Sequence, residues 1–223
     1  LHGESVNRGY AGGLELSAPL GPFTLRADGS YRNAADVNTP EGTLINTSIQ
    51  TINGSGGASL VRPWGFLGAA ASQYVSDYGI PPDPEGGHPS GVDINLDRRH
   101  SEIKGEYRPD VLAVQRIEAA FNHSVYFHQE FEASGDLGME FGVVSDFITA
   151  QAFFKNSGAL KNGVIGVRGG TRDFASGGLT FTPNTFETAI AGFYYQEVQF
   201  NHFLLHGSLR YDIKDVNPEE ERD

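Results

Sequence analysis

The chain has 223 residues, among them 29 Gly, 15 Phe and 9 Tyr but no Cys, which excludes disulfides and thiolate metal sites and suits strands and turns better than a helical core. A net charge of -12 excludes nucleic acid as a partner, because phosphates would be repelled, and favours cationic ligands. Mean hydropathy is negative and no run of about 18 apolar residues exists, which excludes a membrane-spanning helix but not a barrel, where only every second strand residue faces lipid.

About ten stretches alternate small or apolar with polar residues at a period of two, and the connections between them alternate between tight and long. Taken along the chain, the tight set is Pro19-Leu20-Gly21-Pro22, Arg62-Pro63-Trp64-Gly65, Arg108-Pro109-Asp110, residues 156–163 and Asn201-His202. The long set is residues 34–46, 79–92, 130–137 and 174–185. Short turns at one end and long loops at the other predict an up-and-down sheet that crosses a membrane as part of a β-barrel. Residues 216–223 read as the start of an exposed acidic loop, and no signal peptide is visible at Leu1, so the chain reads as a mature product or an internal piece.

The first clear strand, residues 24–33, sets Leu25, Ala27, Gly29 and Tyr31 against Arg26, Asp28, Ser30 and Arg32. Residues 102–108 repeat this with Ile103, Gly105 and Tyr107 against Glu102, Lys104, Glu106 and Arg108. After the next turn Ile117, Ala119, Phe121, Val125 and Phe127 oppose Arg116, Glu118, Asn122, Ser124 and His128, and near the end Leu205, Gly207, Leu209 and Tyr211 oppose His206, Ser208, Arg210 and Asp212. The alternation fades in residues 64–78 and 139–154, where no register is assigned. A soluble sandwich alternates too, but its apolar face would carry large interdigitating side chains, whereas many apolar positions here are Gly, Ala or aromatic. Tyr31, Tyr74, Tyr78, Tyr107, Tyr126, Phe127, Tyr194, Tyr195 and Tyr211 fall near strand ends and read as an aromatic girdle.

Four collinear segments resemble the TonB-dependent outer-membrane receptor family, in particular its zinc-uptake-like branch. They are residues 33–48, the strand from Gly65 to Ala70 leading to Tyr78-Gly79-Ile80-Pro81, the descending strand 92–100, and Tyr126-Phe127-His128-Gln129-Glu130. The resemblance covers most of residues 30–212. It implies an all-β fold: an antiparallel up-and-down transmembrane β-barrel in which residues 1–223 are a partial barrel domain, about ten strands of a 22-stranded barrel. A plug domain and a TonB-contacting box are absent from this chain. It implies uptake of a scarce nutrient across the bacterial outer membrane, zinc or another divalent metal first and an iron chelate second, driven by the TonB complex. The partners are then the lipid bilayer, the TonB complex and a metal or metal-chelate ligand, with metal as transported ligand rather than resident cofactor.

The loop of residues 81–90 sits where zinc-uptake relatives carry a His- and acid-rich loop, and imidazole with carboxylate suits zinc. Here it offers one His with Asp83 and Glu85, fewer ligands than the family pattern. Asp83 and His88, with His128 and Glu130 from the neighbouring hairpin, are the expected metal ligands. Arg26, Arg32, Lys104, Arg116, Arg168, Arg172 and Arg210, with Glu102, Glu106, Glu118 and Asp173, are expected to line the lumen and hydrogen-bond a plug or one another.

Two alternatives stand beside this reading: a small ten-stranded outer-membrane porin, or a ten-stranded protease. For a protease Asp77, His88, His100 and His128 would activate water. No Ser-centred nucleophile elbow or paired-carboxylate signature is present, so the expectation is that the chain is not an enzyme.

Overall fold

The computed structural model describes residues 1–83, 85–86, 88–111, 113–178 and 182–219. Pro84 and Gly87 of the long loop 81–90, residues 179–181 of the connection 174–185, and residues 220–223 of the expected acidic segment lie outside the described residues.

The described residues contain strands and no helix. A two-residue β1 (His2–Gly3) precedes ten long strands: β2 (Tyr10–Leu20), β3 (Phe23–Ala34), β6 (Ile49–Arg62), β7 (Gly65–Ile80), β8 (Val92–Tyr107), β9 (Val114–Glu132), β10 (Leu137–Phe154), β11 (Leu160–Gly178), β12 (Thr185–Phe200) and β13 (Phe203–Pro218). Each long strand pairs antiparallel with its chain neighbour in one 11-stranded sheet, which is not closed. A small hairpin, β4 (Val37–Thr39) with β5 (Gly42–Leu44), fills the first long connection. The fold is thus an all-β, antiparallel, up-and-down sheet.

Turns explain the order of strands. Residues 21–22, 63–64 and 201–202 are two-residue turns, and Gly21 (φ 63°) and Asn201 (φ 42°) supply the left-handed backbone that reverses a strand so tightly. Three expectations need correction. Residues 130–137 are not a long loop, because β9 and β10 run on to leave only residues 133–136 between them. The turn after β8 is wider than Arg108-Pro109-Asp110, reaching β9 only at Val114. Residues 216–218 belong to β13, paired with β12 through Pro218 opposite Thr185.

Directly paired residues share a face, so the register sorts the sheet into two. One row runs from Ala18 through Leu25, Ala58, Ala69, Ile103, Phe121, Ile148, Gly169 and Ile190 to Ile213 and holds no polar residue on any long strand. These side chains stand in the open: Ile148 is 56% and Ile190 57% exposed. The opposite face holds Arg26, Glu102, Lys104, Glu118 and Arg168. An exposed apolar face backed by a polar one reverses the pattern of a soluble sandwich and matches a barrel facing lipid.

The apolar band also slides against the register. On β3 it runs from Phe23 to Tyr31 and gives way to Asn33; on β13 it runs from Phe203 to Ile213 and gives way to Asp215. The row that starts at Phe23 ends at Tyr211, eight residues above Phe203, after eight strand-to-strand steps. One residue per strand, at ~3.4 Å rise and ~4.8 Å spacing, is a tilt of about 35°, the value at which membrane barrel strands lie. A band level in a bilayer has to drift this way across tilted strands.

The girdle needs correction as well. Tyr31, Tyr107, Phe127, Tyr194 and Tyr211 lie on the apolar side, but Tyr74, Tyr78, Tyr126 and Tyr195 lie on the polar one, paired with polar-face residues such as Arg98, Glu130 by way of Ile94, and Ser208. Period two near a strand end fixes the face only when the register is known, and β7 offered little contrast to fix it.

Candidate functional site

All eight residues Arg26, Arg32, Lys104, Glu106, Arg116, Glu118, Arg168 and Arg172 fall on the polar face. Asp173 does not: it follows Arg172 in β11 and pairs with Val144 and Phe186 on the apolar side. Arg26 holds Glu15 across the β2–β3 pair at 2.7 Å. Arg32 reaches Glu4 at 3.6 Å.

The densest charge network sits at the short-turn end. Glu106 and Glu118 oppose each other directly, an arrangement that repels unless cations intervene. Arg108 Nε donates to Glu106 at 2.6 Å, Arg116 Nε donates to Glu118 at 2.7 Å and lies 3.9 Å from Glu106, and Gln151 donates to the free oxygen of Glu118 at 3.1 Å. The Arg116 guanidinium also lies 3.6 Å above the Phe153 ring, and Arg168 lies 4.8 Å from that of Phe147. The apolar residues that blurred the alternation in β10 are therefore cation-binding rings on the polar face.

At the long-loop end the polar face carries an aromatic cluster that alternation alone did not reveal. His128 stacks on Phe141 with ring centres 4.6 Å apart, Tyr126 lies 5.8 Å and Phe174 6.3 Å from the same ring. His128 is 7% exposed and hydrogen-bonded at both nitrogens, Nδ1 to the Tyr126 hydroxyl at 3.2 Å and Nε2 to Glu130 at 3.1 Å. Ser76, 2% exposed, shares its hydrogen with Thr51 Oγ1 at 2.9 Å.

The structure joins two of the four expected metal ligands, His128 and Glu130. Asp83 instead accepts the backbone N–H of Glu85 at 3.1 Å, and His88 Nδ1 lies 4.0 Å from Glu132. Among the described residues no three His, Asp or Glu side chains are placed to hold one ion. Of the residues weighed for water activation, Asp77 lies on the other face, bound by the Asn95 amide at 2.6 Å, away from His100 and His128. The closest His–Asp pair, His123 with Asp146 at 2.8 Å, faces outward at the upper edge of the apolar band.

The loops above are built rather than slack. Asp36 accepts the N–H groups of Thr47 and Ser48 at 2.8 and 2.9 Å, closing the first connection around β4 and β5. Asn46, at φ 58°, donates its side-chain amide to the carbonyls of Ile80 and Val92, both at 2.9 Å, tying both ends of the loop 81–91 together. At the N-terminus Glu4 accepts Asn7 Nδ2 at 2.8 Å, and this bond, aided by Arg32 and His2, holds its carboxyl below the usual range.

No protein-family model matches the sequence, and no curated protein does. Among solved structures, the sheet matches the FrpB iron transporter from Neisseria meningitidis, F3-3 variant, with a TM-score of 0.79 at 9% identity over 94% of this chain. The chain spans 39% of the length of that transporter. At this identity the likeness is one of fold: the same kind of barrel sheet built from almost entirely different residues.

Proposed function

We propose that the chain is part of the wall of a bacterial outer-membrane receptor that takes up a scarce nutrient, with the apolar face in lipid and the polar face toward the lumen. The observation that carries this is the apolar band, present on all ten long strands and drifting about one residue per strand. The likeness to an iron transporter of the outer membrane supports the same reading. In that setting a plug fills the barrel and the TonB complex, drawing on the proton-motive force, displaces it. The nutrient is a metal carried in an organic complex in preference to a bare zinc ion, because Asp83, His88, His128 and Glu130 do not converge and His128 already spends both nitrogens. The edge strand β13 supports membership of a larger barrel: its unpaired N–H and C=O groups would each cost several kcal/mol in hydrocarbon.

The test is the intact mass of the denatured polypeptide isolated from outer membranes, set against the 24.1 kDa of these residues. A mass about two to three times larger fits a plugged barrel of about 22 strands. Radiolabelled iron and zinc accumulation that stops on collapse of the proton-motive force then fits a TonB-driven receptor. A mass near 24.1 kDa would overturn the reading in favour of a closed ten-stranded barrel, a porin or a protease.

A further inference from the structure

Most cations of the polar face are already neutralised. Arg26, Arg116, Arg210 and Lys214 each have a carboxylate within 3.0 Å. Arg98, in the middle of β8, makes no hydrogen bond and no ion pair among the described residues. It stands in one pairing row between Tyr74 of β7 and Tyr126 of β9, with Asn53 of β6 next along. Residues directly paired across strands project to the same side, so the Arg98 side chain leaves the sheet between those of two tyrosines.

The same residues line a cleft of about 420 Å³, joined there by Ser72, Leu96 and His100. His100 Nδ1 is buried without a hydrogen-bond partner, an uncommon state for a polar atom. Every polar group around the cleft can donate a hydrogen bond, and no carboxylate lines it, in a chain whose net charge is -12. The local chemistry therefore runs against the global charge.

We infer that the Tyr74–Arg98–Tyr126 row and His100 form a binding site for a small planar organic anion. Arg98 takes a carboxylate or phenolate through its two parallel N–H donors, the tyrosine rings flank the flat body, and Asn53, Ser72 and His100 offer further hydrogen bonds. The site deepens the uptake reading, on which it rests for its place in the lumen: the solute it accepts is anionic.

The experiment uses the full-length protein, purified from outer membranes in detergent, with salicylate as planar anion and salicyl alcohol as its neutral counterpart. Binding is followed by saturation-transfer NMR and tyrosine fluorescence. Salicylate is expected to bind saturably and at least about tenfold more tightly than the alcohol, and Arg98→Met to remove that preference. Arg98→Lys should restore part of it, because a point charge survives without the fork. Equal binding of acid and alcohol, an Arg98→Met variant that binds like the parent, or no salicylate binding by protein whose circular dichroism shows an intact barrel would each overturn the site. Energy-dependent metal accumulation without salicylate binding sinks the site and leaves the uptake reading standing. Salicylate binding lost in Arg98→Met, in a protein whose cells never accumulate metal, supports the site and sinks the uptake reading.

Discussion

Glu106 and Glu118 face each other across β8 and β9, and Arg116 lies within ion-pair reach of both. Both carboxylates are largely covered, with side chains 12% and 21% exposed, so neither is well screened by water. Arg116→Met keeps much of the packing over Phe153 but leaves the two acids facing each other. It should destabilise the sheet by about 1–3 kcal/mol, read from urea unfolding in micelles, and Glu118→Gln in the same chain should recover part of the loss. Equal stability of Arg116→Met and the parent would show the network to be idle.

The two faces predict opposite responses at adjacent positions. Ile103→Lys places an ammonium in the row that is apolar on every long strand and should cost about 2–4 kcal/mol. Glu102→Lys, one residue away on the polar face, should stay within about 0.5 kcal/mol. Refolding into lipid vesicles with urea titration would compare them, and equal costs would contradict the assignment of faces.

Asn46 predicts the behaviour of a loop it does not belong to. Asn46→Gly keeps the left-handed backbone but removes the donor to Ile80 and Val92. Protease cleavage within residues 81–91 should then speed up by about tenfold, the equivalent of about 1.4 kcal/mol of local opening. Cleavage at the parental rate would mean that the loop is held elsewhere.

Glu4 sets a pH dependence at the N-terminus. Its folded carboxyl is held low, chiefly by the Asn7 amide, so its contribution is fully present above the unfolded value and fades as pH falls through the folded one, below 4.5. Hydrogen exchange at Gly9 and Ala35, whose N–H groups rest on Asn7, should quicken over that acid window. Glu4→Gln should flatten the pH profile; an unaltered profile would assign the effect to another acid.

Period two was enough to read the strands, the two-residue turns at 21–22, 63–64 and 201–202, and the two faces wherever charged residues met large apolar ones, as in β3, β8 and β9. It failed where that contrast vanished. In β7 the two faces offer Ala69 and Ala71 against Gly68 and Ala70, and in β10 Phe141, Phe147 and Phe153 are as apolar as Ile148 behind them. Asp173 was misplaced for a related reason: a charge in a strand says water, but near the upper edge of the band both faces are wet. The His128–Phe141 stack joins residues 13 positions apart through the β9–β10 register, a relationship no local pattern carries. Arg98 was equally silent, because only pairing puts it between Tyr74 and Tyr126.

Register shifts among the long strands are confined to the two ends of the β9–β10 pair and to the Lys161–Val164 end of the β11–β12 pair, while the pairing from β2 to β8 is unbroken. Such a sheet inherits a parity rule. A single inserted residue within β3, β6, β7 or β8 would send every later side chain of that strand to the wrong solvent, whereas two inserted residues would only lengthen it. Descent with change in this chain is therefore free in residue identity only within the polarity of each face, and constrained in strands to even steps. Lineages obeying only that rule could drift until little sequence likeness remained and still build the same curved sheet.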